Sequence, residues 1–476
     1  MTLPGPIIST GTRRPVAAFP TTKSIFLTGE SEKGKAGTPY LLRSMADFER
    51  YLGDRLAANS LLYDGCELIF AIAARRGVSV QVYTSREVGP SAARASVVLD
   101  DGSAVDTMRV LAKGEGSYGN ALNAAIVAGD TAGSFVLVIT HGTDGELERS
   151  TECATVTECI AWAEQYAEHV DVEDVGTSSL DPAVVAATSL SGGDDDRANI
   201  TQTEVSLAWD ALGANLGPGY ACSNGRTTTA AHTKVITHAA ARNRVPRLTA
   251  SNTDTDSTLS AQAVAAKAVA DHDTGYLVWP YVQIRALAGS SPRRVPADVA
   301  AAALEACNDV AGITPNQAAM SSFGILDPDI LVGLEYAEPD DALLTMFSEK
   351  GIVPFRVLKD GTTRLYDLIT LANPLTNPEM VQSGVGRLLM TLKAEFEPVA
   401  EPFVGREITQ QNLTDLRDDI ENALKKYPTS IYGYTVAAHA LDECREEKEF
   451  RVDALIQVTP GGRTVRIPIT KEGSAT

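Results

Sequence analysis

The segment AKGEGSYGNALNAAIVAGD, residues 112–130, contains three glycines, Gly114, Gly116 and Gly119, at the spacing of a dinucleotide-binding turn. A turn of that kind follows a strand, opens a helix, and is followed roughly 20 residues later by an acidic side chain that reaches a ribose. With that context complete, the segment would indicate an enzyme that uses a nicotinamide or flavin cofactor.

The residues after the third glycine do not complete that context. Only nine residues, 120–128, separate it from GDTAG at 129–133, which is too short for a crossover helix and its return loop. The next segment, SFVLVIT at 134–140, is a continuous run of strand-forming residues. The sequence therefore predicts two strands joined at GDTAG and leaves dinucleotide binding through Gly114–Gly119 as the alternative.

Length and composition indicate a folded protein of several domains. The chain has 476 residues, more than a single hydrophobic core usually accommodates. Hydrophobic residues make up 44% and charged residues 21%, which is typical of globular proteins. The six cysteines form no C-x-x-C pair, which favours reduced, buried thiols in a cytoplasm. No apolar run of about 18 residues and no signal-peptide core occurs, so we expect no membrane insertion.

The charge balance argues against nucleic acid as a partner. Lys and Arg total 41 against 61 Asp and Glu, which gives a formal net charge of −20. A field of this sign repels polyanions and anionic membrane surfaces. We therefore expect no nucleic-acid partner.

The sequence lacks the common motifs of catalysis. It has no H-E-x-x-H, G-x-S-x-G or G-x-x-x-x-G-K-[ST] segment, and its six histidines form no ligand cluster. We therefore predict no catalytic residue, no metal ligand and no cofactor. The acidic run Asp194–Asp196 leaves two interpretations open, a solvated loop or a weak site for a hard cation.

Composition divides the chain into six segments. Residues 1–22 contain four prolines and the apolar pair Ile7 and Ile8, so they are expected to form an extended arm that packs on something else. The other predicted segments are 23–90, of α/β type; 91–178, mainly β; 179–338, alternating strands and helices of a parallel sheet; 339–460, mixed; and 461–476, a second arm.

The last of these boundaries lies inside a pattern typical of exchanged strands. Apolar residues alternate on both sides of the turn signal Pro460-Gly461-Gly462, which predicts a hairpin. A strand edge with this alternation is a template for another chain, and two such ends would link one molecule to two neighbours in an open or helical array. The alternative is that both arms fold back on their own domain. The alternating residues are Val452, Ala454, Ile456 and Val458, then Val465, Ile467 and Ile469.

Several segments match, in order, the pattern of one known family. They are PGPIIST and GTPYLLRSMADF near the start, GSYGNALNAAIV, SLSGGDDD, and GYLVWPYVQI. The chain resembles in this respect the contractile tail sheath proteins of bacteriophages and related contractile injection systems. The resemblance implies an α/β and α+β multidomain fold, with a β-sandwich-like module at 91–178, a subtilisin-like doubly wound α/β domain at 179–338, and a mixed α/β inner domain with exchanged terminal strands.

The same resemblance implies a structural subunit and no enzyme. Such subunits would polymerise as stacked hexameric rings around a tail tube and contract to drive the tube through the host envelope. The implied partners are copies of this chain, the tail tube protein, and baseplate and tail terminator proteins; the implied location is the virion tail, assembled in the host bacterial cytoplasm. Lys425 and Lys426 are candidates for tube or neighbour contacts, or simply cations at a helix end. A closed shell and the dinucleotide-binding enzyme remain the alternatives.

Overall fold

The computed structural model describes residues 24–458 with gaps, and these divide by their internal contacts into two units. The β-rich unit comprises Phe26–Phe70 and Gln81–Leu216; the α/β unit comprises mainly Ala71–Val80 and the residues from Gly217 onward. Both arms, with Ile7, Ile8, Val465, Ile467 and Ile469, lie outside the described residues. The internal gaps are 59, 143–144, 176–180, 254, 270–274, 286–290, 311–324, 327–330, 337–338, 358–362, 367–368, 374–387, 389–391, 393–394, 397 and 429–430.

Two antiparallel sheets form most of the β-rich unit. The first contains, in spatial order, β4 (Ser96–Asp100), β5 (Asp106–Ala112) and β9 (Val170–Asp174). The second contains β10 (Val185–Ser189), β6 (Leu122–Ala128), β7 (Phe135–His141) and β8 (Gly145–Arg149).

The predicted pair of strands around GDTAG is confirmed. β6 and β7 are antiparallel and in continuous register from Leu122 opposite His141 to Ala128 opposite Phe135. Alternate residues of both sheets point inward and join one hydrophobic core, which also includes Trp162 of α3 (Val156–Tyr166). The mainly β prediction for this part of the chain therefore holds.

Three further strands and three further helices lie wholly or mostly in the same unit. The strands are β1 (Ser24–Gly29), β3 (Gln81–Arg86) and β2 (Pro39–Leu42), side by side in that order; the helices are α1 (Met45–Leu52), α2 (Leu61–Arg75) and α4 (Gln202–Ala211). Two helix starts follow the sequence signals. Ser44 accepts a hydrogen bond from the Asp47 N–H before α1, and Thr201 and Glu204 form a reciprocal capping box before α4.

The α/β unit contains the predicted parallel sheet. Its parallel strands are β11 (Gly219–Cys222), β12 (Arg244–Thr249), β13 (Tyr276–Trp279) and β18 (Ile352–Val357). The intervening helices are α5 (Thr229–Ala241), α6 (Asp256–Lys267), α7 (Ala297–Val310) and α8 (Asp341–Lys350). Antiparallel additions are β19 (Thr363–Leu365) beside β18 and β16 (Ile325–Leu326) beside β19. A small separate sheet contains β15 (Arg293–Val295), β14 (Val282–Ile284) and β17 (Leu331–Leu334).

Helix α7 is buried on all sides over the part whose side chains are described. Its run of alanines permits close approach to neighbouring strands, and it contacts β11, β12 and β13. Two of its charged side chains are buried with partners. Asp298 faces the loops after the parallel strands, and Glu305 pairs with Arg247 of β12.

The last described elements are α9 (Gln410–Leu424), β20 (Ile431–Ala438), α10 (Leu441–Glu447) and β21 (Val452–Val458). They belong to the α/β unit and form the region that precedes the second arm. None of the helices in the described ranges has both the length and the apolar character needed to cross a bilayer.

Candidate functional site

Strands β20 and β21 form an antiparallel ribbon. Their register runs from Ile431 opposite Val458 to Ala438 opposite Val452, with one irregularity between Ile431 and Gly433. Within the described chain this sheet has two strands, so each strand has one edge outside any described ladder. An isolated two-stranded ribbon is marginally stable in water, and it therefore needs packing on one face.

That packing comes from the chain's own helix α9. One face of this helix is apolar and buried, with Leu413, Leu416, Ile420 and Leu424 along it. On the ribbon, alternate residues turn toward α9 and pack against the same cluster, as the alternation predicted. These ribbon residues are Tyr434, Val436, Val452, Ala454 and Ile456.

The other face of the ribbon presents large apolar side chains to solvent. Tyr432 is 69% exposed and Leu455 is 70% exposed, although both belong to paired strands. The described contacts leave both side chains uncovered in the single chain. Sequence reasoning missed them; the signal was Leu455, which occupies a position between Asp453 and Gln457 where alternation calls for a polar residue.

The predicted inter-subunit strand residues are only partly brought together. Val452, Ala454 and Ile456 share one face of β21, and that face is already packed on α9. Val458 ends the strand, and the predicted partner residues of the arms are outside the described chain. The structure adds a partner that the sequence did not predict, since β20 pairs along one edge of β21. Pairing of the other edge stays a prediction.

The two lysines predicted as contact candidates are exposed near the end of α9. The Lys425 ammonium lies 3.4 Å from the Glu421 carboxylate, and that of Lys426 lies 2.6 Å from the Glu395 carboxylate. Both cations therefore already have acidic neighbours within the unit. Their proposed role in tube or neighbour contacts is untested.

In the β-rich unit, the three glycines of the opening segment are required by the protein's own packing. A Cβ atom on Gly114 would overlap the carbonyl group of Gly34, and one on Gly119 would lie 2.7 Å from the Ala112 Cβ and 2.8 Å from the Ala95 Cβ. Gly116 has a φ of +117°, and a Cβ there would overlap the Asp195 carboxylate. The spacing thus reflects close approach of protein segments and not of a pyrophosphate.

The acidic run contributes the side chain that holds this turn. Asp195 is buried, pairs with Arg86, and accepts hydrogen bonds from the Ser117 N–H at 3.0 Å and hydroxyl at 2.9 Å. Asp196 accepts from the Ser91 N–H and from Asn199. The solvated-loop interpretation does not describe Asp195, because its carboxylate is buried and paired with Arg86. No cluster suited to a metal ion occurs among the described residues.

A cleft beside the turn is too small for a dinucleotide. It measures about 80 Å³ and is bordered by Gly114, Glu115, Tyr118 and Gly119 together with Lys33. Pockets for cofactors and drug-sized ligands usually measure roughly 300–1,000 Å³. The ring of Tyr118 already makes a cation–π contact, since the Lys33 ammonium lies 5.0 Å from its centroid. The geometry gives the dinucleotide alternative no support.

Replacing Gly116 by alanine is expected to destabilise the β-rich unit by about 1–3 kcal/mol more than replacing Gly133 by alanine. Both glycines have positive φ, but only Gly116 has protein atoms where the Cβ would stand, so Gly133→Ala is the matched control for backbone strain. Chemical unfolding followed by tryptophan fluorescence measures the difference. Equal losses in the two variants would show that the Asp195 contact does not constrain the turn.

In the α/β unit, the loops that follow the parallel strands are tied together by aromatic side chains. Open parallel sheets usually bind ligands beyond these strand ends. Here the Trp279 indole donates to the Thr253 carbonyl at 2.7 Å, and the Tyr281 hydroxyl donates to the Gly225 carbonyl at 3.1 Å. The strand ends are thus bridged by the chain itself.

The polar groups beneath these loops are likewise committed to backbone contacts. Asp298 accepts from the Ser223 hydroxyl at 3.1 Å and the Asn224 N–H at 2.9 Å, and its burial raises its pKa to about 6. A ring nitrogen of His232 lies 3.1 Å from the Thr249 carbonyl oxygen, and burial lowers the pKa of this histidine to about 4. Ser223, His232 and Asp298 therefore support the loops and do not form a nucleophile with its base.

The fold of the whole chain is similar to those of sheath proteins. A sheath tail protein from Listeria innocua is 14% identical, with 94% of each chain covered and a TM-score of 0.64. One from Desulfitobacterium hafniense is 13% identical, with 96% of this chain and 100% of that chain covered and a TM-score of 0.56. The sheath of an extracellular contractile injection system, PVC, in its contracted state is 12% identical, with coverage of 99% and 98% and a TM-score of 0.51.

Scans against protein-family models and curated proteins gave no match. At identities of 12–14% the structural likeness concerns the fold. It extends over nearly the whole chain, as does the resemblance noted in the sequence. This chain therefore has the fold of the sheath proteins of phage tails and contractile injection systems.

Proposed function

We propose that this chain is the structural subunit of a contractile tail sheath, which polymerises as stacked hexameric rings around a tail tube and contracts to drive the tube through the host envelope. The observation that carries the proposal is the β20–β21 ribbon. It is packed on one face, exposes Tyr432 and Leu455 on the other, and leads directly into the arm at 461–476. The sheath fold of the entire chain supports the same conclusion.

The arms would join subunits by strand addition. Main-chain hydrogen bonds along the second edge of β21 would hold an incoming strand, while its alternate side chains would extend the two faces of the ribbon. The incoming residues are Ile7 and Ile8 of one neighbour, or Val465, Ile467 and Ile469 of another. Linkers between arm and body then act as hinges, so bodies can change their packing without leaving the polymer.

The finer assignments rest on the same reasoning. Residues 179–338 would be the subtilisin-like part of the subunit, without protease activity, because the loops after its parallel strands are bridged by Trp279 and Tyr281. The work of contraction would come from the free-energy difference between two packings, with no cofactor. The partners would be the tail tube, the baseplate and the tail terminator, and the location the virion tail, assembled in the host bacterial cytoplasm.

Truncation after Gly461 is expected to abolish tube formation. Negative-stain electron microscopy of the purified full-length chain should show hollow striated tubes, and the shortened variant should show dispersed particles, because the incoming strand has been removed. A matched pair of point variants distinguishes the loss of strand pairing from the effect of shortening the chain. Ile467→Asp should mimic truncation, since it puts a charge on the apolar face, whereas Arg466→Asp changes the opposite face and should retain tubes.

Dispersed particles from the full-length chain would remove the support for self-assembly through the arm. Closed particles in place of tubes would favour the alternative that this chain forms a closed shell. Tubes from the Ile467→Asp variant would show that the arm does not pair through its apolar face.

A further inference from the structure

Helix α10 lies in the connection between the two strands of the ribbon, and His439 stands where β20 leads into it. The His439 N–H donates to the Arg451 carbonyl at 3.0 Å, which brings the two ends of the connection together just before β21 begins. The imidazole ring is thus placed between the first turn of α10 and the start of β21. The imidazole ring can therefore contact both α10 and β21.

Both ring nitrogens of His439 face carboxylate oxygens. Nε2 lies 2.8 Å from Oδ2 of Asp453 on β21, and Nδ1 lies 3.2 Å from Oε2 of Glu443 on α10. A carboxylate only accepts, and a neutral imidazole has a single N–H, so the neutral ring can satisfy one carboxylate and must oppose a lone pair to the other. Only the imidazolium can donate to both at once.

A metal ion does not explain the arrangement. The two ring nitrogens point in diverging directions, so no single ion could be bound by Nε2 with Asp453 and by Nδ1 with Glu443. Among the described residues, Arg451 also acts on the ring; its charge opposes protonation, but it is itself paired with Glu447 at 2.7 Å. The balance of nearby charge therefore favours the cation.

We propose that His439 is a proton-operated clasp that fixes α10 to β21 and thereby holds the ribbon in the form that receives a neighbour's strand. The link to strand addition rests on the proposed sheath function. The clasp itself is a property of the single chain. When the ring loses its proton, one of its two bonds is lost, and α10 is held less firmly to β21 or to the end of β20.

The direction in which the pKa of His439 is shifted decides how the stability of the clasp depends on pH. Hydrogen bonds to Asp453, and then to Glu443, raise the pKa of His439 above its ordinary value. The contribution of the clasp is therefore complete below the unfolded-state value of about 6.5 and is lost as the pH rises through the higher folded-state value. Because one proton is involved, the opening equilibrium of α10 can change by at most about tenfold per pH unit.

The test is a titration of the unassembled, full-length chain with ¹³C-labelled histidine. The chain has six histidines, and His439→Gln identifies the resonance. We expect His439 to titrate above 6.5, and its midpoint to fall in Asp453→Asn and, less strongly, in Glu443→Gln. Hydrogen exchange of residues 441–447, corrected for intrinsic rates, should speed up above the midpoint in the wild type and be independent of pH in His439→Gln.

A midpoint at or below the ordinary histidine value, or one unchanged by Asp453→Asn, would overturn the clasp. So would exchange of 441–447 that follows the same pH profile in His439→Gln as in the wild type. The histidine titration and the hydrogen exchange are both measured on unassembled chains. Their results can therefore contradict the clasp even if the protein forms tubes. Conversely, a confirmed clasp in a chain that never forms tubes would leave the titration intact and refute only the link to strand addition.

Discussion

Replacing Glu305 by alanine is expected to destabilise the α/β unit by about 3–5 kcal/mol, since it leaves a buried guanidinium without its partner. The Glu305 carboxylate lies 2.6 Å from Nε of Arg247, and both side chains are at most 1% exposed. The Arg247 guanidinium also lies 4.0 Å from the ring centroid of Tyr276, so it cannot turn to solvent. Burial by itself would lower the pKa of Arg247, but the attraction of Glu305 outweighs it and raises that pKa.

The measurement is chemical unfolding followed by tryptophan fluorescence, with Glu447→Ala, in the same unit, as the matched control. Glu447 pairs with Arg451 at 2.7 Å, but both groups are about half exposed, and such surface pairs contribute roughly 0–1 kcal/mol. Similar losses in the two variants would refute the argument from burial. A double change to apolar residues, Arg247→Met with Glu305→Leu, should cost less than Glu305→Ala, because no charge is then left unpaired.

Replacing Asp195 by alanine should have an effect of similar size, about 3–5 kcal/mol, on the β-rich unit. This carboxylate joins Arg86 of β3, Arg197, and the backbone and hydroxyl of Ser117. Its removal would leave the buried Arg86 without its acidic partner and the turn at Gly116 without its anchor. The unfolding midpoint of the unit should fall accordingly.

The neighbouring Asp194 is the matched control, because it is exposed and its side chain accepts from the Asp196 N–H alone among the bonds described for it. Asp194→Ala is expected to change stability by less than about 1 kcal/mol. Acid adds a second check. Burial acts to raise the pKa of Asp195, but the Ser117 N–H and Arg86 outweigh it and hold that pKa below its usual range.

The contribution of Asp195 is therefore present above the unfolded-state pKa and is lost as the pH falls through the lower folded-state value. The difference in stability between wild type and Asp195→Ala should shrink as the pH is lowered through that range. A difference that stays constant from neutral pH to below the folded-state value would show that Asp195 does not act through its charge.

Predictions from short segments of the sequence were correct where the conformation of a segment depends mainly on its own residues. Ser44 and Thr201 cap α1 and α4, as their residue types favour, and β6 and β7 pair around GDTAG as predicted. The alternation of strands and helices after residue 201 gave the parallel sheet. In each case the deciding contacts lie within a few residues or within one periodic run.

The roles that the sequence left undecided depend on contacts between distant segments. The Asp195 carboxylate finds Arg86 more than a hundred residues earlier, and nothing in the run Asp194–Asp196 shows which of the three is buried. The pairing of β20 with β21 was not predicted either, because α10 interrupts the hairpin. For the same reason the two carboxylates beside His439 became visible only when both elements were in place.

The sequence by itself determined the strand pair around GDTAG, the absence of catalytic motifs, the alternation of β21 and a resemblance that implies a sheath subunit. Periodicity and capping depend on residues close together in the chain, so they can be predicted from the amino-acid sequence alone. Only the tertiary structure decided that the glycines at 114, 116 and 119 accommodate neighbouring backbone and Asp195, and that Tyr432 and Leu455 face solvent. These features depend on which surfaces meet, and burial is set by the packing of all segments together.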